Sequence, residues 1–165
     1  VGTTATWETM PRLPESLPVE TAVYQEAVAE ILRANGIAEP VVRLTAVYRI
    51  DLEGDGVDEV LLHASNLTGL GQGLPTANAG DYTLVALRKI VNGDVATIPL
   101  QLETFPEAAE LVDPLQFSTL VMLDLNGDGS LEMVMEGMGY ESRFTYVYES
   151  TITGVELVLT GGCSL

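Results

Sequence analysis

Two short acidic stretches offer the best-organised chemistry in this sequence. Residues 51–59 read DLEGDGVDE and residues 124–132 read DLNGDGSLE, so equivalent positions stand 73 residues apart. In each stretch, acidic or amide side chains occupy the first, third and fifth positions, a glycine the sixth and a glutamate the ninth. Calcium takes about six to eight oxygen ligands, which a loop supplies from alternate side chains, a sharp glycine turn and a backbone carbonyl at the seventh position. We therefore predict one calcium ion in each loop.

Each loop supplies a defined set of candidate ligands. In the first loop they are Asp51, Glu53, Asp55, the backbone carbonyl of Val57, and Glu59. In the second loop they are Asp124, Asn126, Asp128, the backbone carbonyl of Ser130, and Glu132. Glu53 is longer than the usual aspartate or asparagine, so we expect it to reach the ion through water or to weaken its site. The spare carboxylate of Asp58 is expected to face solvent.

The alternative interpretation is an acidic turn that holds no metal. An empty loop would bring three or four carboxylates close together, and the repulsion between them is unfavourable. The same spacing also occurs twice in matching contexts, which favours a metal site over a chance match to a short motif.

The flanking residues separate these loops from EF-hands. An EF-hand needs a bidentate glutamate at position 12 between two helices, whereas that position is Leu62 or Met135 here and the flanks alternate as strands do. A closing acid at position nine between two strands resembles the calcium hairpins of FG-GAP and VCBS-type repeats, as in integrin α-subunit propellers. The resemblance implies that the acidic and amide side chains given above as candidate ligands bind calcium, without the spare Asp58. It extends to the loops and not to the whole fold, because two units cannot close a propeller.

Composition narrows the classes of partner. The chain has 165 residues, of which 24 are acidic and 7 basic, and its formal net charge is −17. Such a surface repels nucleic acid and anionic membranes and attracts cations. With 47% hydrophobic residues, the chain is long enough for one domain with a packed core, and no apolar stretch is long enough to span a membrane. Cys163 is the only cysteine, so it either pairs with another chain or, as we favour, is a plain small residue near the terminus.

The pattern along the chain predicts an α+β fold that is mainly antiparallel β. Residues 1–18 contain three prolines and indicate an extended N-terminal arm, ahead of a single calcium-binding domain over 19–165. Apolar residues at helical spacing predict a core-facing helix over 19–34, and strand patterns follow from Val41 onward. A second, short helix is predicted at about 105–112, because Thr104 and Glu107 have capping-box spacing and Pro106 would lie in the first turn.

The two acidic loops belong to a longer internal repeat. YRIDLEGDGVDEVLLH aligns with VMLDLNGDGSLEMVME, and a further hairpin follows each copy. We therefore predict two units of four strands, at about 41–101 and 115–160, with the N-terminal helix packed on the sheet. The first unit carries a long glycine-rich insert at 65–81, which is the expected contact for a protein or carbohydrate partner.

Four weaker signals also have ordinary structural interpretations. A catalytic triad would have to use His63, the only histidine, and a packed strand residue is the better interpretation. The run GLGQGLP at 69–75 lacks the spacing of a dinucleotide loop, so a surface loop is favoured. Asn66 begins a glycosylation sequon that matters only in a glycosylating source. The aromatic residues of the strand that begins near residue 143 are expected in the core rather than on a carbohydrate platform, namely Phe144, Tyr146 and Tyr148, with Tyr140 nearby.

These patterns rank three classes of function. The first is a non-catalytic adhesion or recognition domain in which calcium is structural; such sites suit millimolar calcium, so we expect a secreted, cell-surface or periplasmic protein. The second is a subunit of an extracellular filament or other homo-oligomer, joined through its N-terminal arm to a neighbouring sheet edge. The third is a calcium-stabilised hydrolase, which would need a pocket with carboxylates that are not metal ligands.

Overall fold

The computed structural model describes residues 5–68 and 76–164. Antiparallel strands and one helix make up the regular structure of this part of the chain. In chain order, the elements are β1 (Glu15–Ser16), α1 (Ala22–Ala34), β2 (Leu44–Ile50), β3 (Glu59–Ser65), β4 (Thr76–Ala77), β5 (Asp81–Val91), β6 (Asp94–Phe105), β7 (Ala109–Glu110), β8 (Gln116–Leu123), β9 (Glu132–Met138), β10 (Ser142–Thr151) and β11 (Gly154–Ser164).

The strands form two main sheets. The larger has five strands in the order β1-β2-β3-β5-β6, and the smaller has four in the order β11-β10-β9-β8. A separate pair, β4 with β7, lies outside both. Every pairing is antiparallel, so the predicted mainly antiparallel α+β fold is confirmed.

The helix begins three residues later than predicted, at Ala22, and ends at Ala34 as expected. Thr21 keeps an extended backbone, and its hydroxyl donates to the Pro18 carbonyl at 3.0 Å, so the chain is still turning there. Val28 and Leu32 are fully buried on one stripe of the helix, against residues of β2, β3 and β5. Burying a leucine side chain contributes roughly 1.5–3 kcal/mol, so this stripe attaches the helix firmly to the sheet.

The five-stranded sheet is buried on both faces. Because successive side chains of a strand point to opposite faces, Leu61 and Leu62 enter different cores. Leu61 packs with Phe117, Met133 and other residues of the four-stranded sheet, whereas Leu62 packs with the helix. The molecule therefore has three layers, the helix, the larger sheet and the smaller sheet. This layering explains why β3 and β5 are almost continuously buried.

The predicted helix at 105–112 is wrong. β6 continues through Phe105, which pairs with Asp81, and Ala109–Glu110 forms the short strand β7. The Thr104 hydroxyl, expected to cap a helix, instead donates to the Asn35 carbonyl at 3.1 Å, just past the end of α1. The hydrogen-bonding groups of these residues find partners in the neighbouring strands and at the end of α1. These tertiary interactions outweigh the local preference for a helix.

The predicted Asn92-Gly93 hairpin turn and the predicted packing of the aromatic strand are confirmed. Asn92 and Gly93 have φ angles of 54° and 89°, the backbone of a tight hairpin turn between β5 and β6. Tyr148 lies in the core and Phe144 and Tyr146 pack partly buried against it, whereas Tyr140 is half exposed. Cys163 is an exposed free thiol on β11. Within 5–68 and 76–164, no helix is long and apolar enough to cross a bilayer.

Candidate metal centre

The fold brings the two acidic loops side by side, although they are far apart in the chain. The first loop joins β2 to β3 in the larger sheet, and the second joins β8 to β9 in the smaller one. The Leu131 amide of the second loop donates to the Leu52 carbonyl of the first at 2.8 Å. Both leucine side chains are fully buried in the core between the sheets. The loops are therefore one structural unit.

Both loops adopt the same internal hydrogen-bond pattern. The first-position carboxylate, Asp51 or Asp124, accepts the amide of position four at 2.6 Å and of position six at 3.0 Å in either loop. The fifth-position carboxylate, Asp55 or Asp128, accepts the amide of position seven at 2.8 Å in each. The ninth-position glutamate accepts the amide of position two, at 2.8 Å and 2.7 Å. Residues of matching position therefore have matching structural roles.

Glycine is required at two positions of each loop. The φ angles at position four are 74° and 84°, and those at position six are 85° and 91°, all in the left-handed region. Side chains other than glycine rarely adopt this backbone. The predicted glycine turn is confirmed at position six, and the structure adds position four. The residues that carry these angles are Gly54, Gly56, Gly127 and Gly129.

The closing glutamates are buried carboxylates. Glu59 and Glu132 are 2% and 3% exposed. Burial raises the pKa of both side chains above the usual range, and neighbouring acids raise it further. The charges that raise the pKa of Glu132 are those of Asp128 and Asp124, both negative. A buried carboxylate among like charges is the environment that a bound cation would stabilise.

One predicted ligand is engaged elsewhere. The Glu53 carboxylate forms an ion pair with Lys89 and accepts a hydrogen bond from the Ser150 hydroxyl at 2.8 Å. The first loop is thereby tied to β10 of the opposite sheet. The equivalent Asn126 stays in its loop, where its side chain accepts the Asp128 amide at 2.9 Å. Asp58 is half exposed beside Arg49, as predicted.

The donor set of the loops fits calcium in kind. It consists of carboxylate, amide and carbonyl oxygens, which a hard cation prefers, and it contains no nitrogen or sulfur ligand. In the present side-chain arrangement, no three or more His, Cys, Asp or Glu side chains within 5–68 and 76–164 converge to hold a metal. The first- and fifth-position carboxylates are instead turned toward backbone amides. A bound ion would use their remaining acceptor capacity.

The N-terminal arm is the part of the site that sequence reasoning missed. Its described residues lie against their own domain, where they contact both loops. The Trp7 ring nitrogen donates to the Asp124 carbonyl at 3.1 Å, and the Thr9 carbonyl accepts the Asp124 amide at 2.9 Å. Arg12 donates to carbonyl groups of both loops. The sequence did offer one signal: Arg12 is one of only 7 basic residues, and the same arm carries the only tryptophan, Trp7.

His63 has a structural environment. Its Nε2 lies 2.8 Å from the Thr119 hydroxyl, its other hydrogen bond is to the Phe117 backbone, and Tyr48 packs edge-on against the ring. Neither hydrogen-bond partner is a carboxylate. The ring borders a crevice of about 230 Å³ between β2 and β8. This environment supports the interpretation of His63 as a packed strand residue that links the two sheets.

His63 should make stability depend on pH. Burial lowers the pKa of His63 from 6.5 to about 4, so the folded state favours the neutral ring. The contribution of the buried neutral ring to the free energy of unfolding is fully present above pH 6.5. It is lost as the pH falls toward 4, because the unfolded state takes up a proton first. We expect the parent to lose about 2 kcal/mol more than His63→Gln between pH 7 and pH 5. Urea unfolding at both pH values in EGTA measures the difference; equal losses in the two proteins would contradict it.

The insert at 65–81 lies only partly within the described residues. The Asn66 side chain closes its base, since its Nδ2 donates to the Gly80 carbonyl at 3.0 Å and its Oδ1 accepts the Tyr82 amide at 2.8 Å. The Asn66 side-chain amide, which a glycan would modify, is thus hydrogen-bonded on both its nitrogen and its oxygen. The GLGQGLP run at 69–75 lies outside the described residues.

Comparisons with family models, curated proteins and solved structures found no match to this chain. The geometry of the two loops is therefore the basis for a functional proposal.

Proposed function

We propose that this protein is a calcium-binding, non-catalytic domain in which one ion occupies each acidic loop and has a structural role. The observation that carries the proposal is the repeated geometry of the loops. Two segments with different side chains at positions three, seven and eight share four side-chain-to-backbone hydrogen bonds and two left-handed glycines. A chance acidic turn gives no reason for the same geometry to occur twice.

The ligands proposed for each ion are those predicted from the sequence. Asp124, Asn126, Asp128, the Ser130 carbonyl and Glu132 would hold one ion. In the first loop, Asp51, Asp55, the Val57 carbonyl and Glu59 would hold the other, and Glu53 would contribute only what its ion pair with Lys89 leaves free. We expect the second loop to bind more tightly for this reason. The ions would offset the repulsion among the carboxylates.

The arrangement of the sheets supports the idea of two repeat units. The strands β2, β3, β5 and β6 neighbour one another in chain order, and so do β8, β9, β10 and β11. In each set, the acidic loop joins the first strand to the second. We propose that each set is one copy of a duplicated unit of two hairpins, and that calcium stabilises the loop of the first hairpin in each copy. Sites of this type suit millimolar calcium, so the proposed location is outside the cytoplasm, with adhesion or recognition as the role.

Thermal unfolding in excess calcium and in EGTA tests the proposal. Calcium at about 100 times its Kd stabilises by roughly 2.7 kcal/mol per site, or about 5–10 °C for a protein of this size. Asp128→Ala should lose at least half of the gain, and titration calorimetry should count two ions in the parent and one in the variant. Asp94→Ala, which removes an exposed acid from the β5–β6 turn, is the matched control. Coincident parent curves in calcium and EGTA would refute calcium binding.

A further inference from the structure

The side chain of Arg12 spans the two acidic loops. Its Nε donates to the Asp51 carbonyl at 2.6 Å, and its Nη2 donates to the Leu52 carbonyl at 3.2 Å. The same Nη2 donates to the Gly129 carbonyl of the other loop at 2.7 Å. A guanidinium group is planar and presents five donors in fixed directions, so one side chain can hold two loops at a set separation.

The bonds of Arg12 leave the proposed ligands free. Arg12 donates to the carbonyls of positions one and two in the first loop and of position six in the second. The proposed ions would bind side chains and the carbonyl of position seven. The guanidinium and the ions are therefore not competitors for the same atoms. Its approach is close, since a Cβ on Gly54 would lie 2.9 Å from Nη1. Any other residue at Gly54 would disturb this contact as well as the turn.

The arm on either side of Arg12 is held by separate contacts. Trp7 covers the second loop, where a Cβ on Gly127 would lie 3.1 Å from its ring. Asp124 is bound on its amide by Thr9 and on its carbonyl by Trp7. Beyond Arg12, β1 pairs with β2, the strand that leads into the first loop. The arm thus contacts both loops and also β2, the strand that leads into the first loop.

We propose that residues 5–12 are an integral part of the calcium centre, and that Arg12 couples the loops so that an ion in one raises the affinity of the other. The inference rests on the proposed calcium binding. An ion that orders one loop also fixes the carbonyl groups to which Arg12 donates hydrogen bonds. Because Arg12 is then held in place, its hydrogen bond to the other loop favours the ordered state of that loop as well. By thermodynamic linkage, calcium must then tighten the docking of the arm, and the arm must tighten calcium binding by the same factor.

Calorimetric titration of matched variants tests the coupling. Asp55→Ala disables the first loop and should weaken binding in the second loop about tenfold, within the usual range of allosteric coupling. In an Arg12→Leu background, the same substitution should leave the second site unchanged. Arg33→Leu is the control for charge, because Arg33 lies on α1 and pairs with Glu26, away from both loops. Equal effects of Asp55→Ala with and without Arg12 would overturn the inference.

A second readout uses the unmodified protein. Trp7 is the only tryptophan, and its fluorescence reports the arm directly. Acrylamide should quench Trp7 at least twofold less in calcium than in EGTA. If calorimetry shows calcium binding but quenching is the same in both, the inference fails and the proposed function stands. If calorimetry shows no calcium binding, both fall.

Discussion

Replacing Glu53 with glutamine is expected to lower the free energy of unfolding by about 3–5 kcal/mol in EGTA, because it leaves a buried charge without its partner. The Lys89 side chain is 1% exposed, and Glu53 is its carboxylate partner. Two neutral acceptors would remain, the Ser150 hydroxyl at 2.9 Å and the Thr151 carbonyl at 2.5 Å. They satisfy hydrogen bonds of the ammonium group but do not neutralise its charge.

Urea denaturation of the parent and three variants measures this effect. Asp58→Asn is the matched control, since it removes an exposed acid from the same loop and should cost less than about 1 kcal/mol. The double substitution Glu53→Leu with Lys89→Met removes both charges and should be less destabilising than Glu53→Gln alone. A Glu53→Gln protein as stable as Asp58→Asn would show that the pair contributes little to stability.

Leu131→Ala is expected to cost about 3–5 kcal/mol, because the site is closely packed and cannot collapse around the lost atoms. Leu131 is fully buried in the core between the two sheets. It occupies position eight of the second loop, and its amide bonds to the Leu52 carbonyl of the first. The substitution therefore creates a cavity directly beneath the junction of the two loops.

The control for Leu131 lies in the same loop. Leu125 is 48% exposed, so Leu125→Ala should cost less than about 1 kcal/mol. Both variants are measured by urea unfolding in EGTA and again in saturating calcium. Similar costs for the two leucines would contradict the packing described here. If calcium binds as proposed, Leu131→Ala should also weaken its affinity, because it loosens both loops.

The features that the sequence predicted correctly are those encoded by near neighbours in the chain. Strand alternation identified the paired segments of both sheets, and Asn92-Gly93 identified a hairpin turn. The loop glycines follow from a backbone that other residues rarely adopt. The apolar stripe of α1 predicted a helix facing a core. In each of these cases, the physical cause acts over a few residues.

The errors and omissions involve partners that are distant in the chain. Thr104 and its neighbours have a local capping signal, but strand pairing and the end of α1 overrode it. Glu53 was predicted to reach the ion through water or to weaken its site, and nothing in the sequence indicated that its carboxylate pairs with Lys89, 36 residues away. Arg12 reaches Gly129 across 117 residues of sequence. No pattern in a single sequence gives such distances.

The sequence by itself determined that this protein has two acidic, glycine-turned loops between strands, because side-chain spacing and backbone preference are local properties. Only the tertiary structure decided that the loops lie against each other, that Arg12 bridges them and that Glu53 pairs with Lys89. Packing of the two sheets decided these points, since it brings distant segments together around a shared apolar core. The candidate ligands can be identified from the sequence, whereas the arrangement of the two loops that carry them depends on the fold.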